Sequence, residues 1–185
     1  QSHLTTSPSS CSMNPSSYPL CSNCGVQSLH FFGGLESRFN VDHWKKIPKT
    51  EESIMALKGT DFFNTLELYP SSNELVDFVV NLVGEDGWGI CSSPLRGDRD
   101  NSAYWKRVWL TRHFIMPNVE NLIFTGQKER FATNKFDGKP NILVDDKPDN
   151  ISRWIAKGGI GIRYQANECS LVDLKQKLIK AVETS

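Results

Sequence analysis

The chain has 185 residues with 21 basic and 21 acidic side chains, so its formal charge is zero, and the length fits one domain or one domain with a small appendage. A balanced charge argues against a basic polymer-wrapping module and hence against a nucleic acid partner. The apolar fraction of 38% falls below the usual figure of about 45–50% for a local reason: the first thirty residues hold nine serines and no Asp, Glu, Lys or Arg.

That leader has neither a basic start nor a long apolar run, so it reads as neither a secretory signal nor a membrane span. It is expected to be a Ser/Pro-rich, poorly structured arm or a degenerate first strand. A cytoplasmic setting follows as the expectation, with Cys11, Cys21, Cys24, Cys91 and Cys169 as thiols rather than a disulfide framework.

From Phe31 onward the pattern is that of a folded protein. Phe31, Phe32, Leu35 and Phe39 recur on a helical period, and the stretch from Asp42 to Phe63 mixes Trp44, Ile47, Ile54, Leu57 and Phe62 with charges. Residues 31–65 are therefore expected to form a small helical cap. The core signal starts at Leu66-Glu-Leu-Tyr-Pro70. A helix over Ser72 to Leu82 follows, with Leu75, Val76, Val79 and Leu82 on one face and Ser71 or Ser72 as its cap.

A buried strand is expected within Gly87 to Pro94, a helix over Ser102 to His113, and a strand at Asn121-Leu-Ile-Phe-Thr125. The clearest strand, Asn141-Ile-Leu-Val144, runs into Asp145-Asp146. Pro148-Asp149 opens a helix that Gly158-Gly159 ends, Ile160 to Tyr164 gives a last strand, and Leu171 to Val182 a last amphipathic helix. Helix and strand alternate, which predicts an α/β core over 66–185: a Rossmann-like parallel sheet flanked by helices on both faces, with ligand sites beyond the carboxyl ends of the strands.

Three of those strands end in residues suited to a phosphate and a divalent cation: Ser92-Ser93, then Lys128 in the loop after Thr125, then Asp145-Asp146. Hydroxyls and backbone N–H groups cradle phosphate oxygens, a lysine neutralises their charge, and carboxylates hold Mg²⁺. Each piece has a plain reading beside this one: Ser-Ser-Pro as a turn, Lys128 as a solvated lysine, Asp149 and its neighbours as a helix cap.

Taken together, Ile90-Cys-Ser-Ser-Pro-Leu95, Lys106-Arg-Val-Trp109, Lys128 and Ile142-Leu-Val-Asp-Asp-Lys-Pro-Asp-Asn-Ile151 with Trp154 resemble the haloacid dehalogenase superfamily. Within it they look most like the 5'(3')-deoxyribonucleotidase family, phage-type members included. Phe31-Phe-Gly-Gly, Asp42-His-Trp-Lys and Phe62-Phe63 extend the likeness to about 155 residues. The resemblance implies an α/β core with a small helical cap, and Mg²⁺-dependent hydrolysis of a nucleoside monophosphate or other small phosphate ester through an aspartyl-phosphate. It implies that Ser92 and Ser93 bind phosphate, that Lys128 stabilises the nucleophile and phosphoryl charge, that Asp145 and Asp146 hold the metal, and that Lys106 opens the helix after the hydroxyl motif. Relatives often carry Arg just before the motif lysine, where this chain has Gly126-Gln127.

The family opens with a strand and Asp-x-Asp-Gly-Val. This chain reads Ser22-Asn-Cys-Gly-Val26, so Ser22 and Cys24 stand where the nucleophile and the general acid/base belong. Such a loss removes orders of magnitude in rate. Two accounts stay open: a pseudo-phosphatase acting as a nucleotide-binding or interaction module, and an N-terminal segment that is not the family's own. Weaker alternatives are a zinc site begun by Cys21, Cys24 and His30, a cysteine phosphatase loop at Cys91 and Arg96 with four residues between them instead of five, and base stacking by Phe32, Trp44 and Phe63.

Overall fold

The computed structural model describes residues 20–21, 46–166 and 168–185. The expected helix at Phe31–Phe39, the Asp42 to Lys45 segment, the base-stacking candidates Phe32 and Trp44, and Cys24 with His30 lie outside the described residues. The elements in chain order are β1 (Leu20–Cys21), α1 (Thr50–Met55), α2 (Ser72–Val83), β2 (Gly89–Ser92), α3 (Arg99–His113), β3 (Leu122–Phe124), β4 (Ile142–Asp145), α4 (Pro148–Ala156), β5 (Ile160–Arg163) and α5 (Leu171–Thr184). Short 3₁₀ turns at Phe62–Thr65, Val119–Asn121 and Lys128–Phe131 complete them.

The five strands form one parallel sheet in the order β3-β2-β1-β4-β5. β1 takes the central place although it is only two residues long: Leu20 pairs with Gly89 on one side and Leu143 on the other, and Cys21 with Ile90 and Val144. A strand buried on both faces needs apolar residues at every position, and β4 has them, with Ile142, Leu143 and Val144 all at 3% exposure or less.

The pleat then divides these side chains between two cores. Ile142 and Val144 join Ile90, Ile162, Trp109 and the apolar faces of α2 and α5, whereas Leu143 joins Ala132 and the α4 residues Ile151 and Trp154. Helices thus cover both faces: α2, α3 and α5 contribute to the larger cluster and α4 to the smaller.

The described part of the expected cap, residues 46–65, shares the larger core. Ile47, Leu57, Phe62 and Phe63 are buried in the same cluster as Trp109 and Leu66. Polar ties reinforce the join: Trp109 Nε1 donates to the Leu66 carbonyl at 2.6 Å, and Asn101 Nδ2 donates to the Thr60 carbonyl at 3.0 Å and to Asp98 Oδ2 at 2.9 Å. Helix α3 starts at Arg99, three residues before the expected Ser102, because its first turn is polar and carries no apolar periodicity. Among the described residues no helix is long and apolar enough to cross a membrane.

Candidate functional site

All strands point the same way, so Ser92, Phe124, Asp145 and Arg163 end on one edge of the sheet. The expected site residues with described positions gather there in two clusters, on β2 and β4, the two strands that flank β1.

The first cluster is built on β2. Ser92 is fully buried, and its Oγ accepts a hydrogen bond from Lys106 Nζ at 3.1 Å. The same ammonium donates to the Ser93 carbonyl at 2.6 Å and lies 4.6 Å from the centre of the Phe63 ring. Lys106 is 6% exposed, yet it does not open its helix as the resemblance implied: α3 begins at Arg99, and Lys106 stands about two turns in. From that height its side chain reaches back to the loop after β2. A cation over an aromatic face in a desolvated setting adds about 1–2 kcal/mol, so Phe63 serves as a partner to Lys106 while it packs in the core. Cys91 is a fully buried residue of β2, as a strand residue should be.

The second cluster is built on β4. Asp145 ends the strand, 0% exposed, and Lys128 opens the short 3₁₀ turn after β3, equally buried. Their ion pair measures 2.6 Å from Nζ to Oδ2. Lys128 is therefore not the solvated surface lysine of the plain reading. Asp145 also accepts from the Lys147 backbone N–H at 2.9 Å through Oδ1 and from Asn150 Nδ2 at 3.2 and 3.1 Å through both oxygens. Burial pushes the Asp145 carboxyl up, but the Lys128 ammonium and these hydrogen bonds together hold it below the usual carboxylate range.

Asp146 sits in the opposite balance. Burial and the adjacent Asp145 charge raise it to about 6, and its Oδ1 is buried with no hydrogen-bond partner. An unpartnered buried oxygen beside a second carboxylate has the donor chemistry of a hard cation such as Mg²⁺, which takes oxygen ligands and keeps several waters. The pair fits that ion, with Asp146 Oδ1 as the open ligand. Among the described residues no third His, Cys, Asp or Glu joins them in a metal-holding group.

Ser22 and Cys24 lie outside the described residues; Ser22 is the next residue in sequence after β1. The loop between β3 and Lys128 closes through a Gln127 N–H donating to Thr125 Oγ1 at 3.0 Å and a Thr125 N–H donating to the Ser92 carbonyl at 3.0 Å. Gly126 and Gln127, where an arginine was expected, are exposed.

Sequence reasoning missed Asn150, Arg153 and Glu129. Arg153 Nη2 donates to Asn150 Oδ1 at 2.8 Å, and Nη1 lies 3.7 Å from Glu129 Oε1. The only signal available was the position of Asn150 in the first turn of a helix that follows Asp145 directly, which reads equally well as helix-start chemistry.

A scan of the chain against models of protein families gives no match, and a search of curated proteins gives none either.

Proposed function

We propose that the chain is a haloacid dehalogenase-like, 5'(3')-deoxyribonucleotidase-like phosphohydrolase domain whose own turnover is impaired by Ser22 and Cys24 in the places of the two motif aspartates. The observation that supports it most is the buried Lys128–Asp145 ion pair on the carboxyl edge of the sheet, with Asp146 beside it. Burying two charges costs several kcal/mol per ion, about as much as their attraction returns, so such a pair is weak as a device for stability and more at home in a site that handles charge.

On this reading the substrate is a small phosphate ester, in the first instance a deoxynucleoside monophosphate. Ser92 Oγ, held by Lys106, offers a hydroxyl to phosphate oxygens, and Lys128 sets a fixed positive charge at the same edge. Asp145 and Asp146 would hold Mg²⁺, which when bound supplies charge neutralisation for the phosphoryl oxygens. A serine hydroxyl at position 22 needs a neighbouring base to act as a nucleophile, and a thiol at position 24 needs a nearby cation to lower its pKa.

The test is a phosphatase assay over a panel of nucleoside monophosphates, with and without Mg²⁺, on the unmodified chain and on the double variant Ser22→Asp/Cys24→Asp. The expected outcome is no turnover by the unmodified chain and Mg²⁺-dependent turnover by the double variant, a gain of several orders of magnitude. Turnover by the unmodified chain would overturn the impairment. A double variant that binds monophosphates without turning them over would favour the alternative, a non-catalytic nucleotide-binding or interaction module, which the replaced aspartates already suggest.

A further inference from the structure

The polar residues around Asp145 close into a circuit. Lys128 donates to Asp145 Oδ2, the Asn150 amide donates to both Asp145 oxygens, Arg153 donates to Asn150 Oδ1, and Arg153 pairs with Glu129, the residue after Lys128. The direction of every contact is fixed by chemistry. A guanidinium can only donate, so Arg153 must face the oxygen of the Asn150 carboxamide; the NH₂ group is then turned to Asp145, which as a carboxylate can only accept. The circuit also spans three elements, since Lys128 and Glu129 sit after β3, Asp145 ends β4, and Asn150 and Arg153 lie on α4.

We propose that Asn150 and Arg153 are positioning residues: Arg153 orients the Asn150 amide, and that amide locks the Asp145 carboxylate in the one orientation that takes Lys128. The use of that geometry for phosphate rests on the proposed phosphohydrolase reading, but the locking itself does not. The plain alternative is that Asn150 merely starts α4 and Arg153 makes a surface contact. The two differ in what Arg153 controls. Its side chain is 48% exposed and does not touch Lys128 or Asp145, so as a surface residue it would leave their electronic surroundings unchanged. As a positioning residue it changes them through Asn150.

The experiment follows two signals of the full chain by NMR, the Lys128 ammonium ¹⁵N–¹H resonance and the Asp145 carboxylate ¹³C resonance, in the unmodified protein and in Arg153→Met, Arg153→Lys and Asn150→Ala. Arg153→Met and Asn150→Ala are expected to move both resonances, and Arg153→Lys, which keeps a donor for the Asn150 oxygen, to bring them back toward the unmodified positions. Titration with inorganic phosphate in the presence of Mg²⁺ is expected to weaken about tenfold in Arg153→Met, as for other residues that orient a site from behind its ligands. Both resonances unmoved in Arg153→Met would overturn the proposal; that variant is on the surface and keeps the test sharp if Asn150→Ala fails to fold. Resonances that move in a protein that binds no phosphate in any form would retain the circuit and count against the phosphohydrolase reading instead.

Discussion

At the scale of single residues, the buried ammonium of Lys128 is the most consequential charge in the described chain. Removing one member of a buried pair leaves the other uncompensated in a poorly solvated place, at a cost of about 3–5 kcal/mol. Lys128→Met is therefore expected to lose that much stability in a denaturant titration; a loss under about 1 kcal/mol would mean that Asp145 finds another partner or water. Asp146 predicts a pH effect of opposite origin. Its folded-state pKa of about 6 lies above the ordinary 3.8, so the folded chain holds this proton more tightly than the unfolded one. The resulting stabilisation is fully present below about pH 4 and is lost as pH rises through 6, a change of up to about 3 kcal/mol. Asp146→Asn should flatten that slope and be the more stable protein at pH 8, measured by thermal unfolding at a series of pH values. If the carboxylate pair holds Mg²⁺, the ion should raise the melting temperature of the unmodified chain at pH 8 and do much less for Asp146→Asn.

At the scale of elements, helix α4 carries the site on one side and a tight packing joint on the other. Trp154 is fully buried, donates its indole N–H to the Asn141 carbonyl at 2.9 Å, and lies against the turn into β5. A Cβ on Gly159 would meet Trp154 Nε1 at 2.2 Å and the Ala132 carbonyl at 2.8 Å, neither of which can retreat without moving a strand or breaking the indole bond. Gly159→Ala is expected to cost about 1–3 kcal/mol by overpacking, read as a lower urea midpoint with an unchanged slope. Trp154→Ala should cost more, about 3–5 kcal/mol, because it opens a cavity in the smaller core. Four of the strands and the four longest helices were legible in the sequence, because parallel strands are short apolar runs and these helices, apart from the polar first turn of α3, keep an apolar face. The site was legible only where it coincides with strand ends: Ser92, Lys128 and Asp145 follow from that rule, whereas Asn150, Arg153 and Glu129 are joined by contacts among three elements that no local spacing encodes. Lys106 was legible as a residue and misjudged in place, since the polar first turn of α3 hides where the helix begins.

At the scale of the whole molecule, the two described clusters sit on the strands that flank β1, and the chain's continuation from β1 begins with Ser22. The gap in the chemistry therefore falls, in sequence, at the middle of the sheet, and restoring aspartates there addresses the one place from which both clusters are near neighbours in strand order. Because the residues involved in binding and those missing for turnover belong to different strands, phosphate affinity and turnover should separate: Ser22→Asp/Cys24→Asp should raise kcat far more than it changes affinity for inorganic phosphate, whereas Ser92→Ala in that background should mainly weaken binding, which steady-state kinetics and calorimetry would resolve.

The two-residue central strand also dictates an order of assembly. Leu20 and Cys21 leave the ribosome early, but their partners on one side arrive with β2 and on the other only with β4, more than half the chain later. Until Leu143 and Val144 have been made, the first strand can be held from one side only, by two residues' worth of ladder. During synthesis the nascent sheet is thus open along its own midline, and folding into the native sheet can become cooperative only after the segment that ends in Asp145 has emerged.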